Sequence, residues 1–196
     1  MTRLTSVFAA LAMAFVLAVP TAAQQFGQRS GFFLAAEGGM GLGSIDCGTI
    51  CYSDAVIAPV GTIRIGGSPS DRVMIALELS YWRSVQDTTA QDYSYGMAVM
   101  KLYPLESIPA YIKAGAGVGR YGEERSSPGT AIWALNANGF VLQAGVGYEY
   151  SIASKIHVGP ALTFVSARGH KASRNRLPTN DVSGTWLRLG LSVAWR

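Results

Sequence analysis

The sequence predicts an all-β chain folded as an eight-stranded antiparallel up-and-down transmembrane β-barrel, and three observations predict it. Eight segments of about ten residues or more alternate apolar with small or polar positions, and a period of two sorts such residues onto opposite faces of a strand. The connections between segments alternate long and short along the chain, as they do when short turns lie on one side of a membrane and long loops on the other. Charged residues make up only 14% of the chain, against about 25% in ordinary soluble domains, which is too few to clothe a water-facing surface.

The amino terminus stands outside this pattern. Arg3 precedes an uncharged apolar run from Ser6 to Val19, and Pro20-Thr21-Ala22-Ala23 supplies small residues for cleavage after Ala23. Residues 1–23 therefore read as a cleaved secretory signal peptide and residues 24–196 as the barrel domain. The rival, a membrane-spanning helix, needs about 20 apolar residues, more than this run contains. Export makes nucleic acid an unnatural partner for a chain of net charge +4.

The elements follow in order. Gly31 to Gly43 is a first strand with Phe32, Leu34, Ala36 and Met40 on one face and Glu37 on the other. A loop from Ser44 to Val56 holds the only cysteines, Cys47 and Cys51. In an exported chain this spacing favours a disulfide that pins the loop, provided the two side chains can approach. The rival, a metal site, would need further ligands, and the only histidines are His157 and His170. Ile57 to Gly67 is the second strand, with Ile63 and Ile65 opposite Arg64, and Ser68 to Asp71 is a turn of reversal-favouring residues. Arg72 to Arg83 alternates most clearly, with Val73, Ile75, Leu77, Leu79 and Tyr81 against Met74, Ala76, Glu78 and Ser80.

After a polar loop from Ser84 to Asp92, the fourth strand, Tyr93 to Tyr103, is open as to facing. Tyr95, Met97 and Val99 suit lipid, but that assignment carries Lys101 with them, which is tolerable only if it snorkels at the membrane edge. The opposite facing stays open. Ala110 to Gly122 sets Ile112, Ala114, Ala116 and Val118 against Lys113 and three glycines; Gly139 to Tyr150 sets Phe140, Leu142, Val146 and Tyr148 against Gln143 and Glu149. Lys155 to Ala167 follows, marred by Pro160, which donates no ladder hydrogen bond and marks an edge or bulge. The last strand, Trp186 to Arg196, places Leu187, Leu189, Leu191, Val193 and Trp195 opposite Arg188. Aromatic residues gather toward strand ends, as in interfacial girdles. The rival fold is a secreted soluble barrel of the lipocalin kind. Its water-facing set would include Lys113, Gly115, Gly117 and Gly119, which is too poor in polar groups.

Two stretches carry a resemblance. Ile108 to Gly122 (IPAYIKAGAGVGRYG) resembles the Pro-Tyr-x-x-Gly-x-Gly-x-Gly fifth strand of the small eight-stranded bacterial outer-membrane barrels, the OmpA transmembrane-domain, OmpX and Opa group, with Ala110 inserted between Pro109 and Tyr111. Arg188, Gly190, Val193 and Trp195 match the polar-x-Gly-x-x-apolar-x-aromatic insertion signal of that group; Arg196 departs from it, since members usually stop on the aromatic residue. The resemblance implies the bacterial outer membrane as location. It also implies outer-membrane lipid, lipopolysaccharide and the outer-membrane assembly machinery as partners.

Eight strands close a tube that side chains can fill. On the facing above, it receives Glu37, Arg64, Glu78, Lys113, Gln143, Glu149, His157 and Arg188, and pairing among the charges makes their burial bearable. A register-fixing plug is the expectation; a narrow ion or small-solute channel is the alternative. Catalysis would need a serine activated by a histidine near the outer rim. His157 falls at the other rim, and His170 lies among polar loop residues, so a non-enzymatic monomer with no cofactor is expected. The last connection, Arg168 to Ser183, carries Arg168, Lys171, Arg174 and Arg176 against Asp181 alone. Such a loop suits lipopolysaccharide phosphates or a sulfated polysaccharide, and outer loops on a rigid barrel are where contact with the surroundings is expected.

Overall fold

A computed structural model describes residues 31–46, 55–86, 89–105, 108–127, 130–174 and 177–196, and the side chains outside 125–135 and 170–181. The signal segment and Cys47 and Cys51 lie outside the described residues. The described strands are β1 (Gly31–Asp46), β2 (Val56–Ser70), β3 (Val73–Gln86), β4 (Thr89–Leu102), β5 (Ala110–Ser127), β6 (Thr130–Tyr148), β7 (Tyr150–Ala153), β8 (Ile156–Arg174) and β9 (Leu177–Trp195). Neighbours in sequence other than β6 and β7 pair antiparallel, β1 pairs with β9, and β8 pairs with β6 as well as with β7 and β9, so the sheet closes on itself. β6 and β7 form one stave interrupted at Glu149, which makes nine strands an eight-staved barrel.

Closure puts one face of every stave inside and the other outside. The outside is apolar: Phe32, Leu34, Ile63, Leu77, Leu79, Val118, Phe140, Leu142, Phe164, Leu189 and Trp195 are all exposed, Leu77 at 65%. A soluble protein does not leave such a belt in water, whereas a bilayer takes it as its natural contact. At the short-turn edge the belt ends in aromatic pairs, Phe32 with Trp195 (centroids 6.5 Å apart) and Tyr148 with Tyr150 (4.5 Å).

β4 turns its large residues inward. Tyr93, Tyr95, Met97, Val99 and Lys101 are buried, while Ala98 and Met100 face out, which settles against lipid contact for Tyr95, Met97 and Val99. The cause lies on β5. Gly115, Gly117 and Gly119 line the facing wall, and a Cβ at Gly115 would meet Met97 Sδ at 2.9 Å, one at Gly119 the Tyr93 hydroxyl at 2.5 Å. Small residues on one stave make room for large ones on the next.

The strands outrun the apolar alternation. β5 and β6 stay paired from Ala110↔Tyr148 to Ser127↔Thr130, and β8 and β9 from Ile156↔Trp195 to Arg174↔Leu177. The segments 123–138 and 168–183, expected as loops, are therefore largely ladder. Beyond the belt neither face needs to be greasy, so the ladder continues without the sequence signal of one.

Pro160 sits where the β6 stave breaks. Pairing of that stave with β8 lapses between Gly147↔Ala161 and Tyr150↔Val158, while Pro160 stays opposite Leu191 on β9, so the proline borders a gap in the ladder, as its missing N–H favours. Glu149 donates its own N–H to the Pro109 carbonyl at 3.0 Å instead. Gly159 opposite lets the Tyr148–Glu149 backbone come close, and a Cβ on it would collide with the Tyr148 carbonyl.

Candidate functional site

The interior is stacked in three layers. Toward the long hairpins it is aromatic. The rings of Tyr93 and Trp186 stack at 4.0 Å and 13°, and Trp82 meets Trp186 edge-on at 6.4 Å. Trp186 is seated between glycines, since a Cβ at Gly43 or at Gly184 would come within 2.5 Å of its indole. Trp82 donates Nε1–H to the Gly41 carbonyl at 3.2 Å. Above them the Tyr121 hydroxyl donates to Glu123 at 2.6 Å.

The middle layer is ionic. Arg64 lies between two carboxylates, donating to Glu37 and, through Nε, to Glu78 at 2.5 Å. Arg188 donates to Ser80 at 2.8 Å, Thr62 at 3.3 Å and the Gln143 Oε1 at 3.2 Å, and its Nη2 stands 3.5 Å from Glu78. Lys113 Nζ is 3.8 Å from Glu37. The Tyr95 hydroxyl donates to Glu78 at 3.3 Å, with the Arg188 guanidinium 5.4 Å from its ring. Every charged group of this layer is at most 5% exposed, so each depends on its partners rather than on water.

The third layer lies at the short-turn rim and centres on Glu149. Lys101 Nζ donates to Glu149 Oε1 at 2.7 Å, the Tyr103 hydroxyl donates to Oε2 at 2.7 Å, and Arg196 pairs with the same Oε2. Arg196 also donates to the Tyr103 oxygen at 2.9 Å, and its backbone N–H to the Lys155 carbonyl at 3.0 Å. Phe33, Met74 and Tyr111 pack against this group, with Lys101 4.2 Å over the Tyr111 ring.

Glu123, expected in a loop, and Arg196 are interior charges that sequence reasoning missed, and Lys101, whose facing the sequence left open, joins them inside. The signal for Lys101 was its parity with Tyr93 to Val99: a lysine on that face is more comfortable beside a buried carboxylate than in lipid. Arg196 carried no such signal, because one residue beyond an alternating run has no defined face. His157, 8% exposed, is hydrogen-bonded through Nδ1 to the Ser151 hydroxyl at 2.9 Å, at the short-turn rim. Among the described residues no group of three or more His, Cys, Asp or Glu is placed to hold a metal ion.

Of the insertion-signal positions, Arg188 points into the middle layer, Gly190 faces Glu37 and the Gly38 carbonyl, and Val193 and Trp195 lie in the belt. Just beyond the belt on the long-hairpin side, Arg83, Arg120 and Arg168 are exposed, and Arg120 donates to Asn136 at 2.8 Å. The backbone of Lys171 and Arg174 belongs to β8, where Lys171 stands opposite Asp181 in register, so these residues lie on an extended hairpin and not on a loop. Their side chains, and Arg176 altogether, lie outside the described residues.

No protein-family model matches the chain, and no curated protein matches it either. Solved structures do. Ail, the attachment invasion locus protein of Yersinia pestis, superposes with a TM-score of 0.57 at 10% identity, over 83% of this chain and 98% of that one. A second structure of Ail, in complex with the heparin analogue sucrose octasulfate, gives 0.54 at 10% identity over 84% and 99%. Neisserial surface protein A gives 0.53 at 14% identity over 84% and 97%. The likeness is one of fold, and the fold is that of the small eight-stranded outer-membrane barrels, with the apolar belt as its lipid-facing surface.

Proposed function

We propose that this chain is a non-conducting, non-enzymatic outer-membrane barrel whose extended hairpins meet anionic material at the cell surface. The observation that carries the reading is the filled interior. Large side chains are buried at three successive heights, with Arg64, Arg188, Tyr93, Tyr103 and Phe33 among the most enclosed, which leaves the rim as the part free to bind anything larger than a small ion. Arg83, Arg120 and Arg168 are exposed on the long-hairpin side, a position suited to lipopolysaccharide phosphates, and the backbone of Lys171 and Arg174 continues in β8. Guanidinium forks match phosphate and sulfate geometry. The Ail structure with a bound heparin analogue offers a parallel on the same fold.

The test is retention of the refolded protein on heparin and on lipopolysaccharide. Replacing Arg168, Lys171, Arg174 and Arg176 with glutamine is expected to leave a heat-modifiable barrel and to weaken retention; unchanged retention removes the surface-contact reading. The channel alternative is tested by planar-bilayer recording, where the filled interior predicts no steady conductance.

A further inference from the structure

The middle layer holds more hydrogen-bond donors than acceptors along one wall. Across four adjacent staves, Lys113 stands opposite Gly145, Gly145 opposite Thr163, and Thr163 opposite Arg188. Glycine lets the side chains of Lys113 and Thr163 close over the centre of that row: a Cβ at position 145 would lie 2.6 Å from the Leu162 carbonyl oxygen, 3.0 Å from Lys113 Cε and 3.1 Å from Thr163 Oγ1. Lys113 Nζ, Thr163 Oγ1, Gln143 Nε2 and Arg188 Nε are all buried without a hydrogen-bond partner among the described residues. Gln143 lies two positions from Gly145 on the same face. Its Oε1 accepts from Arg188 at 3.2 Å, which fixes the amide so that Nε2 is the end left over. All four atoms can donate, and buried donors in folded proteins are seldom left without an acceptor.

Charge points the same way. Arg64, Lys113 and Arg188 share the layer with only Glu37 and Glu78. Both carboxylates already accept from Arg64, and the nearest carboxylate oxygen to Lys113 Nζ, at 3.8 Å, is beyond hydrogen-bond reach. With Lys113 protonated the layer carries one positive charge in excess, next to the unmatched donors.

We propose that Lys113, Gln143, Thr163 and Arg188 form a binding site for one small monovalent inorganic anion of the size and charge of chloride. Such an ion accepts from every direction, as four donors require, and its single charge balances the layer. A dianion would overshoot the balance, and water would bring none.

The probe is the halide itself, used on the refolded wild-type barrel. Unfolding midpoints are compared in sodium chloride, sodium bromide and sodium gluconate at matched ionic strength, gluconate being too large to enter. The expected result is a saturable rise of the midpoint with chloride and bromide and none with gluconate. Crystals grown in bromide should show anomalous scattering within hydrogen-bond distance of Lys113 Nζ. Thr163→Val removes one donor while keeping the side-chain shape, and should weaken the apparent halide affinity by about tenfold. Lys113→Gln should abolish the halide dependence. A midpoint indifferent to the anion, or bromide scattering only at the surface, overturns the proposal and assigns the donors to water or to an uncharged amine. If neither variant refolds, the bromide position in the wild-type protein decides.

Discussion

Arg64→Met removes the cation on which the middle layer turns. Arg64 is 1% exposed and serves both Glu37 and Glu78, themselves 5% and 0% exposed. Removing one partner of a buried ion pair costs about 3–5 kcal/mol, because the charge left behind has lost water as well as its partner. Two carboxylates lose their partner here, yet neither is left bare. Lys113 remains 3.8 Å from Glu37, while Arg188 at 3.5 Å and the Tyr95 hydroxyl at 3.3 Å remain beside Glu78. The loss should therefore stay near about 4 kcal/mol and not double, a change of roughly a thousandfold in the unfolding constant. Urea titration in phospholipid vesicles reads it directly, since Trp82 and Trp186 are buried in the barrel and report its opening. Glu78→Gln in the Arg64→Met background should recover a substantial part of the loss, giving a coupling energy above about 1 kcal/mol in a double-mutant cycle. A loss below about 1 kcal/mol, with no coupling, would refute the view that this pairing holds the staves in register.

Three further outcomes follow from the geometry. Leu77→Arg, at an exposed site in the middle of the belt, should cost about 2–4 kcal/mol in vesicles, as charges at the bilayer midplane do; near-neutrality in the same titration would mean the belt faces water. Arg196→Ala leaves Glu149 with Lys101 and Tyr103 only, so it should cost about 1–3 kcal/mol, read as a lower temperature for conversion of the heat-modifiable gel band. Gly39→Ala would drive a Cβ into the Leu189 carbonyl across the β1–β9 seam, so closure should fail or slow severely. The yield of heat-modifiable barrel after refolding checks this, with the open-faced Gly61→Ala, where a Cβ meets nothing, as the benign comparison.

The parts of this structure that were legible in the sequence are those where one physical demand acts alone. Leu187 to Trp195 faces lipid on one side and a packed interior on the other, so its alternation reads directly. β4 does not read so simply. Its inward face carries tyrosines and a methionine that would also suit lipid, and what places them inside is the glycine row on β5, a complementarity between staves that no single segment displays. The hairpins β5–β6 and β8–β9 were hidden for the opposite reason. Beyond the belt the outer face no longer meets lipid, so the strands persist through backbone pairing while the sequence carries no apolar alternation to mark them. The charges show the same division. Glu78 and Arg64 stand out on their strands because their neighbours are apolar, whereas the pairing of Lys101 and Arg196 with Glu149 depends on the break opposite Pro160, where Glu149 leaves the ladder.

The three filled layers also bear on how many copies a cell can carry. An open pore adds permeability with every molecule inserted, so its density is bounded by the leak that the envelope tolerates. On the proposed non-conducting reading, a barrel filled by aromatic rings at one end, by ion pairs at its waist and by the Glu149 cluster at the other would add surface and a basic rim without adding a path. On that reading such a protein would be free to crowd the membrane as a cladding, its density set by space and by supply of the chain.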